Sequence, residues 1–590
     1  MWGRVVLALV LVFAVGAITG KGSFRDGLTS YLENGKFSPE FRKLLRSAGL
    51  KHTLRFNVTR LDDDTICTLC DELVELVLNL INVNAITIEE TQSLLVEICV
   101  TAFFEDEDIC YGAISSNIGI AWYIAQARPE KQSSEVCAII GQSYGCIGTL
   151  NDWSINIPET PTKSLKNEVS ENFKILHLSD IHYDSLYQSG SLGACDLPVC
   201  CTMGTQATNE GDAAGYWGDY RDCDTPEIAI DDALNRIAEQ HSDVDFIYYT
   251  GDIISHRVWN TSHDSNSRDI SLIFGKMLSV LGDTKVYPSL GNHEAHPLNA
   301  YAPLEIEDEN LSTAWLYELI TSLWSNWLDT SAIDTLNAGG FYQILIKPGL
   351  RLISLNNNVA YTFNWWLLYD DVDPYGQLQW LSDTLYEAEQ NGEKIHIIGH
   401  QPSSRPSIHK IWSREYRRII QRFSATIAGI FNGHTHTDEL ILYHSSEDPN
   451  LPINVAWNGG SLTTFSDKNP NYKVYDIDGG TYEVLDYDVW VYNITDANLK
   501  PNEAPDWYKL YSFKEAYGLS GATPADVHQL VVNMADDRAT MEQYFEYSVK
   551  KADSALVSGC DTDCLKSMLC ASVKSEYSDE TQCLLLPNEW

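Results

Sequence analysis

Two periodicities divide the chain. Between residues 63 and 150 apolar residues recur at helical spacing. In TICTLCDELVELVLNLI they fall at 66, 69, 73, 76, 77, 80 and 81, one stripe of a helix, and IEETQSLLVEIC repeats the pattern up to Cys99. Beyond about residue 170, apolar runs of strand length alternate with helical segments. Five of these runs end in Asp, Asn or His: FKILHLSDIH, DFIYYTGDIISH, KVYPSLGNHE, KIHIIGHQP and IAGIFNGHTH. Buried strands flanked by helices, with polar residues at the strand ends, predict a layered α/β domain whose site lies on loops at one edge. Between the two regions INIPETPTKSLKNE, with two prolines, reads as a linker. From about residue 500, DVHQLVVNMADD and MEQYFEYSVKKA return to helical spacing. No internal repeat or low-complexity tract interrupts this order.

Composition narrows the setting. The 590 residues exceed one domain. The 82 acidic residues against 40 basic give a net charge of −42, which repels nucleic acid, so no nucleic-acid partner is expected. Such a surface either solubilises the chain or suits an acidic compartment, where protonation relieves self-repulsion. MWGRVVLALVLVFAVGA, with Arg4, a short apolar run and small residues at Gly16 and Ala17, predicts a secretory signal peptide over 1–17. No other stretch has the uninterrupted apolar length of a transmembrane helix. An exported chain with fourteen cysteines implies disulfides, and the clusters 67–146, 195–223 and 560–583 hold six, four and four, so each can close within itself. Sequons at Asn57, Asn260, Asn310 and Asn493 fit a glycosylated route.

The five strand ends carry the chemistry. They supply Asp180 and His182, Asp252 and His256, Asn292 and His293, His400, and His434 with His436. Any one is weak; five in this order are how a site built from several strand ends is recognised. The set, D-x-H, G-D, G-N-H-E, G-H and G-H-x-H, resembles the calcineurin-like metallophosphoesterase family across about 175–480. The resemblance implies one metal held by Asp180, His182, Asp252 and His436, and a second by Asp252, Asn292, His400 and His434, with Asp252 bridging. Neutral imidazoles suit zinc, carboxylates bridge two cations, and the Asn292 carbonyl limits the negative charge. Two metals about 4 Å apart can clamp a phosphate in an in-line displacement. The position of the iron-favouring tyrosine of purple acid phosphatases is Ser255 here, so two zinc ions are expected. His293 then becomes the acid for the leaving alkoxide, since an ordinary histidine is largely protonated at about pH 5. His256 is a second candidate for proton delivery or phosphate contact, or else a loop-holding hydrogen-bond donor.

The spacing of the first six cysteines resembles the saposin family, whose members engage lipids through an apolar concave face; a disulfide-stapled prosegment is the other reading. GDIISHRVWN, YPSLGNHEAHPLN, DPYGQLQWL, KIHIIGH and NPNYKVYDID, in this domain order, resemble the sphingomyelin phosphodiesterase family over nearly the whole chain. The resemblance implies a signal peptide (1–17), an α-helical saposin domain (63–150), a linker (151–170), an α/β layered metallophosphoesterase domain (171–480, a β-sheet sandwich flanked by helices) and a small α-helical, disulfide-bonded C-terminal region (481–590). It implies disulfides Cys67–Cys146, Cys70–Cys137, Cys99–Cys110, Cys195–Cys200, Cys201–Cys223, Cys560–Cys564 and Cys570–Cys583. The expected reaction is hydrolysis of sphingomyelin, in membranes or lipoproteins, to ceramide and phosphocholine at acidic pH. The expected protein is a secreted or lysosomal monomer that touches membranes peripherally through the saposin domain. Two rivals are a related phosphodiesterase acting on nucleotides or other soluble phosphoesters, and a lipid-binding protein with an inactive catalytic domain; the filled ligand positions oppose the second. Departures remain. QPSSRPSIHK follows Gly399-His400 where the family often has I-P-P-G, no cysteine lies between 224 and 559, and the linker is poor in proline.

Overall fold

The computed structural model describes residues 37–39, 42, 63–82, 86–103, 106–159 and 171–586. The expected signal peptide, the Asn57 sequon and linker residues 160–170 lie outside the described residues. The first region is helical as its periodicity predicts: α1 Asp63–Asn82, α2 Ile88–Phe103, α3 Glu107–Ala127 and α4 Ser133–Ile140. Asp106 caps α3 by accepting the Asp108 N–H at 2.9 Å. Helix α1 packs on α4 and α2 on α3. Cys70–Cys137 ties the first pair, Cys67–Cys146 ties α1 to the segment after α4, and Cys99–Cys110 ties the second. Of the predicted stripe, Ile81 is buried and Val77 partly so; the side chains of Ile66, Leu69, Leu73, Leu76 and Leu80 lie outside the described residues.

Twelve strands come next: β1 Phe173–Leu178, β2 Phe246–Tyr249, β3 Lys285–Pro288, β4 Tyr342–Lys347, β5 Leu350–Ser354, β6 Lys394–Ile398, β7 Ile427–Asn432, β8 Glu439–His444, β9 Pro452–Asn458, β10 Asn471–Ile477, β11 Val484–Val491 and β12 Tyr508–Ser512. They form two six-stranded sheets, ordered β12-β11-β10-β1-β2-β3 and β4-β5-β6-β7-β9-β8. β1, β2 and β3 run parallel, as do β5, β6, β7 and β9. The sheets pack face to face: the Tyr248 hydroxyl on β2 lies 2.9 Å from His396 Nδ1 on β6, and Phe431 on β7 meets Tyr475 on β10 at 5.2 Å. Helices cover the outer faces. Ile230, Leu234 and Phe274 are buried with the first sheet, and Leu381, Leu385 and Ile420 with the second. This is the expected layered α/β sandwich.

The region beyond 480 is mostly helical, yet β11 and β12 belong to it and extend the first sheet. Its helices are bonded to the second sheet as well, with Leu442 N–H donating to Ser572 O at 2.8 Å and Asp438 N–H to Ser548 O at 3.0 Å. Part of the linker is also pinned. Ile155 N–H donates to Glu415 Oε2 at 3.2 Å, and Arg414 pairs with Asp152 at 2.7 Å. The helical module meets the sandwich through Trp365 Nε1–H to Asn117 Oδ1 at 3.0 Å and Arg128 Nε–H to Tyr369 O at 2.9 Å. All seven disulfides pair as the resemblance implies, and no cysteine is free among the described residues.

Candidate metal centre

Parallel strands put their C-terminal ends on one edge, and all five motifs follow such an end. β1 leads to Asp180 and His182, β2 to Asp252 and His256, β3 to Asn292 and His293, β6 to His400, and β7 to His434 and His436. The turns are tight. Asp180, His182, Asp252, His434 and His436 all have positive φ, between 45° and 73°, a conformation costly for residues with a Cβ and concentrated at functional sites. The glycines explain their own motifs: a Cβ on Gly251 would run into the Gly291 backbone, and one on Gly291 into Asp252.

Two donor groups result. Asp180, His182 and His436 converge, as do Asp252, His400 and His434, each group with its ligand atoms within 4.8 Å of one another. Asn292 Oδ1 lies 3.0 Å from both His400 Nε2 and His434 Nδ1. Asp252 Oδ2 stands between the groups, 3.5 Å from His182 Nε2 and 3.1 Å from His400 Nε2. The structure thus brings together all seven residues expected as ligands.

Backbone carbonyls fix the imidazoles. His182 Nδ1–H donates to Ile254 O at 2.9 Å and His400 Nδ1–H to Thr250 O at 2.7 Å, which leaves each Nε2 lone pair free for a cation. Glu294, the last residue of GNHE, accepts N–H groups from Gly291 (2.6 Å), Asp252 (3.2 Å) and Ile253 and so ties two ligand loops together. Asp252 accepts the His293 N–H at 2.8 Å, and Asp180 the His434 N–H at 2.9 Å.

The electrostatics call for positive charge. Burial holds His182, His434 and His436 well below the ordinary histidine range, so they are neutral donors. Burial also lifts Asp180 to about 6, helped by Asp252. Burial alone would lower His400, but Asp252 and Asp180 outweigh it and raise it to about 9. A proton there supplies a cation's charge between two carboxylates. Asp180 Oδ2 is buried without a hydrogen-bond partner, and the bare His182 Nε2 faces His436 Nε2 at 3.0 Å. Paired nitrogens and an orphaned carboxylate oxygen fit divalent cations, and the nitrogen-rich set with few carboxylates fits zinc.

His256 and His293 reach the same edge outside this cage. One ring nitrogen each of His182, His256 and His293 lie within 4.8 Å of one another. His256 is stacked between His182 (4.1 Å) and Phe465 (4.2 Å). His293 Nδ1–H donates to Ser255 O at 3.2 Å. Its chemistry differs from the sequence expectation: burial pushes His293 down to about 4, so it is not the largely protonated histidine assumed for about pH 5.

Sequence reasoning missed Asp224, which binds both the ring and the backbone of His256, and Arg257, whose Nε–H donates to Asp184 at 2.9 Å while Nη2–H donates to Cys200 O at 2.9 Å. Asp224 follows Cys223 in a segment without a strand-length apolar run, so no periodic signal marks it. Glu294 was in view within GNHE, but only its buried oxygens reveal its role.

Comparisons with known proteins agree with this geometry. Residues 173–438 match the family described as calcineurin-like phosphoesterase, and residues 458–590 match the acid sphingomyelin phosphodiesterase C-terminal region. The sphingomyelin phosphodiesterase of Bos taurus is 35% identical over 508 residues, covering 83% of this chain and 79% of that protein. That of Homo sapiens is 37% identical over 464 residues, covering 76% and 72%. Sphingomyelin phosphodiesterase 2 of Caenorhabditis elegans is 32% identical over 550 residues, covering 88% of each.

Proposed function

The chain belongs to the sphingomyelin phosphodiesterase family, and from that membership we propose that it hydrolyses sphingomyelin to ceramide and phosphocholine at acidic pH with two zinc ions. The observation that carries this is the convergence of seven donors and two further histidines on one sheet edge. Asp180, His182, Asp252 and His436 would hold one ion, and Asp252, Asn292, His400 and His434 the other. When bound, the ions supply positive charge to the phosphoryl oxygens and acidify the attacking water.

The chain's own residues do the rest. Departure of ceramide's alkoxide requires a proton at its oxygen. His256 is set to deliver one from Nε2, because its Nδ1–H is committed to Asp224 at 2.6 Å. The Phe465 ring covers the imidazole and limits its rotation. His293, neutral under these conditions, serves as hydrogen-bond partner and proton relay beside it.

The helical module, read as a saposin domain, supplies lipid. Val77, Leu78, Leu95 and Trp122 line a cavity of about 200 Å3 whose wall also carries Arg128 and Lys131. Apolar surface with adjacent cations suits acyl chains under phosphate headgroups. Among the described residues no helix is long and apolar enough to cross a membrane, so contact is proposed to be peripheral, by a monomer acting in a lysosomal or extracellular setting on membranes or lipoproteins. The test is phosphocholine release from sphingomyelin liposomes at about pH 5, with and without zinc. Release abolished by His434→Ala supports the proposal. No release, with a nucleotide diester still cleaved, would assign the site to soluble substrates.

A further inference from the structure

Two residues past His436 stands Asp438, a buried carboxylate just before β8. Its Oδ1 accepts a hydrogen bond from Lys473 Nζ at 2.8 Å, and its Oδ2 accepts one from the Tyr511 hydroxyl. Lys473 comes from β10 in the first sheet and is completely buried. Its Nζ also donates to Asn458 O at 3.1 Å and lies 3.9 Å from the Tyr487 ring centroid. Tyr511 comes from β12 and stacks on Tyr547 at 4.1 Å. The C-terminal region grips the same segment twice more. Asp438 N–H donates to Ser548 O at 3.0 Å, and Leu440 N–H to the Tyr544 hydroxyl at 3.1 Å.

We infer that Lys473, Asp438 and Tyr511 form a positioning unit, through which the C-terminal region sets the His434–His436 turn and how tightly its histidines hold a cation. The inference rests on the metal-centre reading and adds what keeps that centre in shape. A buried ion pair contributes little net stability, because desolvation offsets its attraction, but its bonds are satisfied only in one geometry. That geometry matters here. His434 and His436 both have positive φ, 73° and 57°, a backbone state that persists only where the surroundings over-determine it. Upstream, Gly433 N–H donates to His400 O at 2.8 Å and His434 N–H to Asp180 at 2.9 Å. Downstream, the turn is held at Asp438. The rings of His182 and His400 are fixed by backbone carbonyls, whereas the His436 ring faces other candidate donors. Its Nε2 lies 3.0 Å from His182 Nε2 and 3.6 Å from Asp180 Oδ1. The place of His436 is therefore inherited from its backbone. Asp438 acts through that backbone and not as a ligand, since both its oxygens are already bonded.

The test uses the full chain loaded with zinc and dialysed against graded chelator, with retained metal read by elemental analysis. Tyr511→Phe removes one hydroxyl and keeps the ring that stacks on Tyr547, so the fold should survive. It should weaken zinc retention about tenfold or more, the usual effect of losing a bond behind a ligand. Lys473→Met leaves Asp438 charged without its cation and should weaken retention further. Should that variant fail to fold, Lys473→Met combined with Asp438→Asn removes both charges and reads the same loss. Tyr472→Phe is the control. It deletes a hydroxyl bonded to His241 at 3.0 Å on the same strand as Lys473, and should leave zinc retention unchanged. Retention equal to the wild type in Tyr511→Phe and in the double variant, whatever their melting temperatures, would overturn the inference and leave the metal centre standing. An equal loss in Tyr472→Phe would overturn it too, since any weakening of the fold would then suffice. A wild type that retains no zinc would overturn both the inference and the metal-centre reading.

Discussion

Asp224 holds His256 at two points: its Oδ1 accepts the ring Nδ1–H at 2.6 Å and its Oδ2 accepts the backbone N–H at 2.6 Å. Asp224 is fully buried, and the next peptide links it to the donor loops, because Thr225 N–H donates to His182 O at 3.0 Å. One carboxylate thus sets both the position and the tautomer of the histidine proposed to protonate the leaving group. Asp224→Asn should lower kcat on sphingomyelin about a hundredfold with little change in KM. The same variant should lose much less on a nitrophenyl diester, whose leaving group departs without a proton. Equal losses on both substrates would reduce Asp224 to a structural role.

The donor cage predicts how metal and activity are coupled. Asp252 lies between both groups, whereas His436 belongs to one. Asp252→Asn should release both ions and lower turnover by about a thousandfold or more, while His436→Ala should release one. Elemental analysis of the purified variants gives the stoichiometry directly. Chelation followed by zinc should restore the wild type but not Asp252→Asn.

Buried neutral histidines make the fold sensitive to acid. His396 is completely buried, donates Nε2–H to Tyr482 O at 2.7 Å and accepts from the Tyr248 hydroxyl at 2.9 Å. Burial lowers it to about 4, below its unfolded value near 6.5. The unfolded chain therefore binds the extra proton, and the His396 contribution is present above pH 6.5 and lost as pH falls towards 4. It amounts to about 3 kcal/mol at most. His396→Gln keeps a donor and an acceptor but cannot be protonated, so its melting temperature should fall less steeply across that window. The slope will not vanish, because burial likewise lowers His409 to about 3 and His241 to about 4. An unchanged slope would rule His396 out as a contributor.

The helical module should matter only where the substrate is a bilayer. Leu78 is partly buried and lines the apolar cavity with Val77 and Trp122. Leu78→Asp places a charge on the surface proposed to receive acyl chains and should cut turnover on sphingomyelin liposomes about tenfold or more. Parallel assays on a soluble diester separate this from a general loss of fold. Equal rates on liposomes for variant and wild type would remove the module from lipid presentation.

Much of the site was legible because its parts are local. The runs ending in Asp180, Asp252, Asn292, His400 and His434 each announce a strand and the ligand turn at its end, and parallel strands bring their C-terminal ends to one edge without further instruction. The cysteine spacings, through family resemblance, also gave every disulfide. Asp224 was not legible as the partner of His256. It lies on a loop, and its meaning depends on a partner 32 residues further along the chain. The strands β11 and β12 were hidden likewise, since their aromatic-rich segments come after the last motif and pair only with β10 and with each other.

Sequence alone determined the order of the strand-end motifs, whose family resemblance names the candidate metal donors, and the mainly helical character of the two flanking regions, because periodicity and motif are properties of short segments. Tertiary structure decided the burial of His293, the carboxylate that grips His256, and the cavity shared by the His400 loop and the C-terminal helices. Desolvation and charge pairing are set by what lies within a few ångströms in space, and sequence neighbours do not fix that.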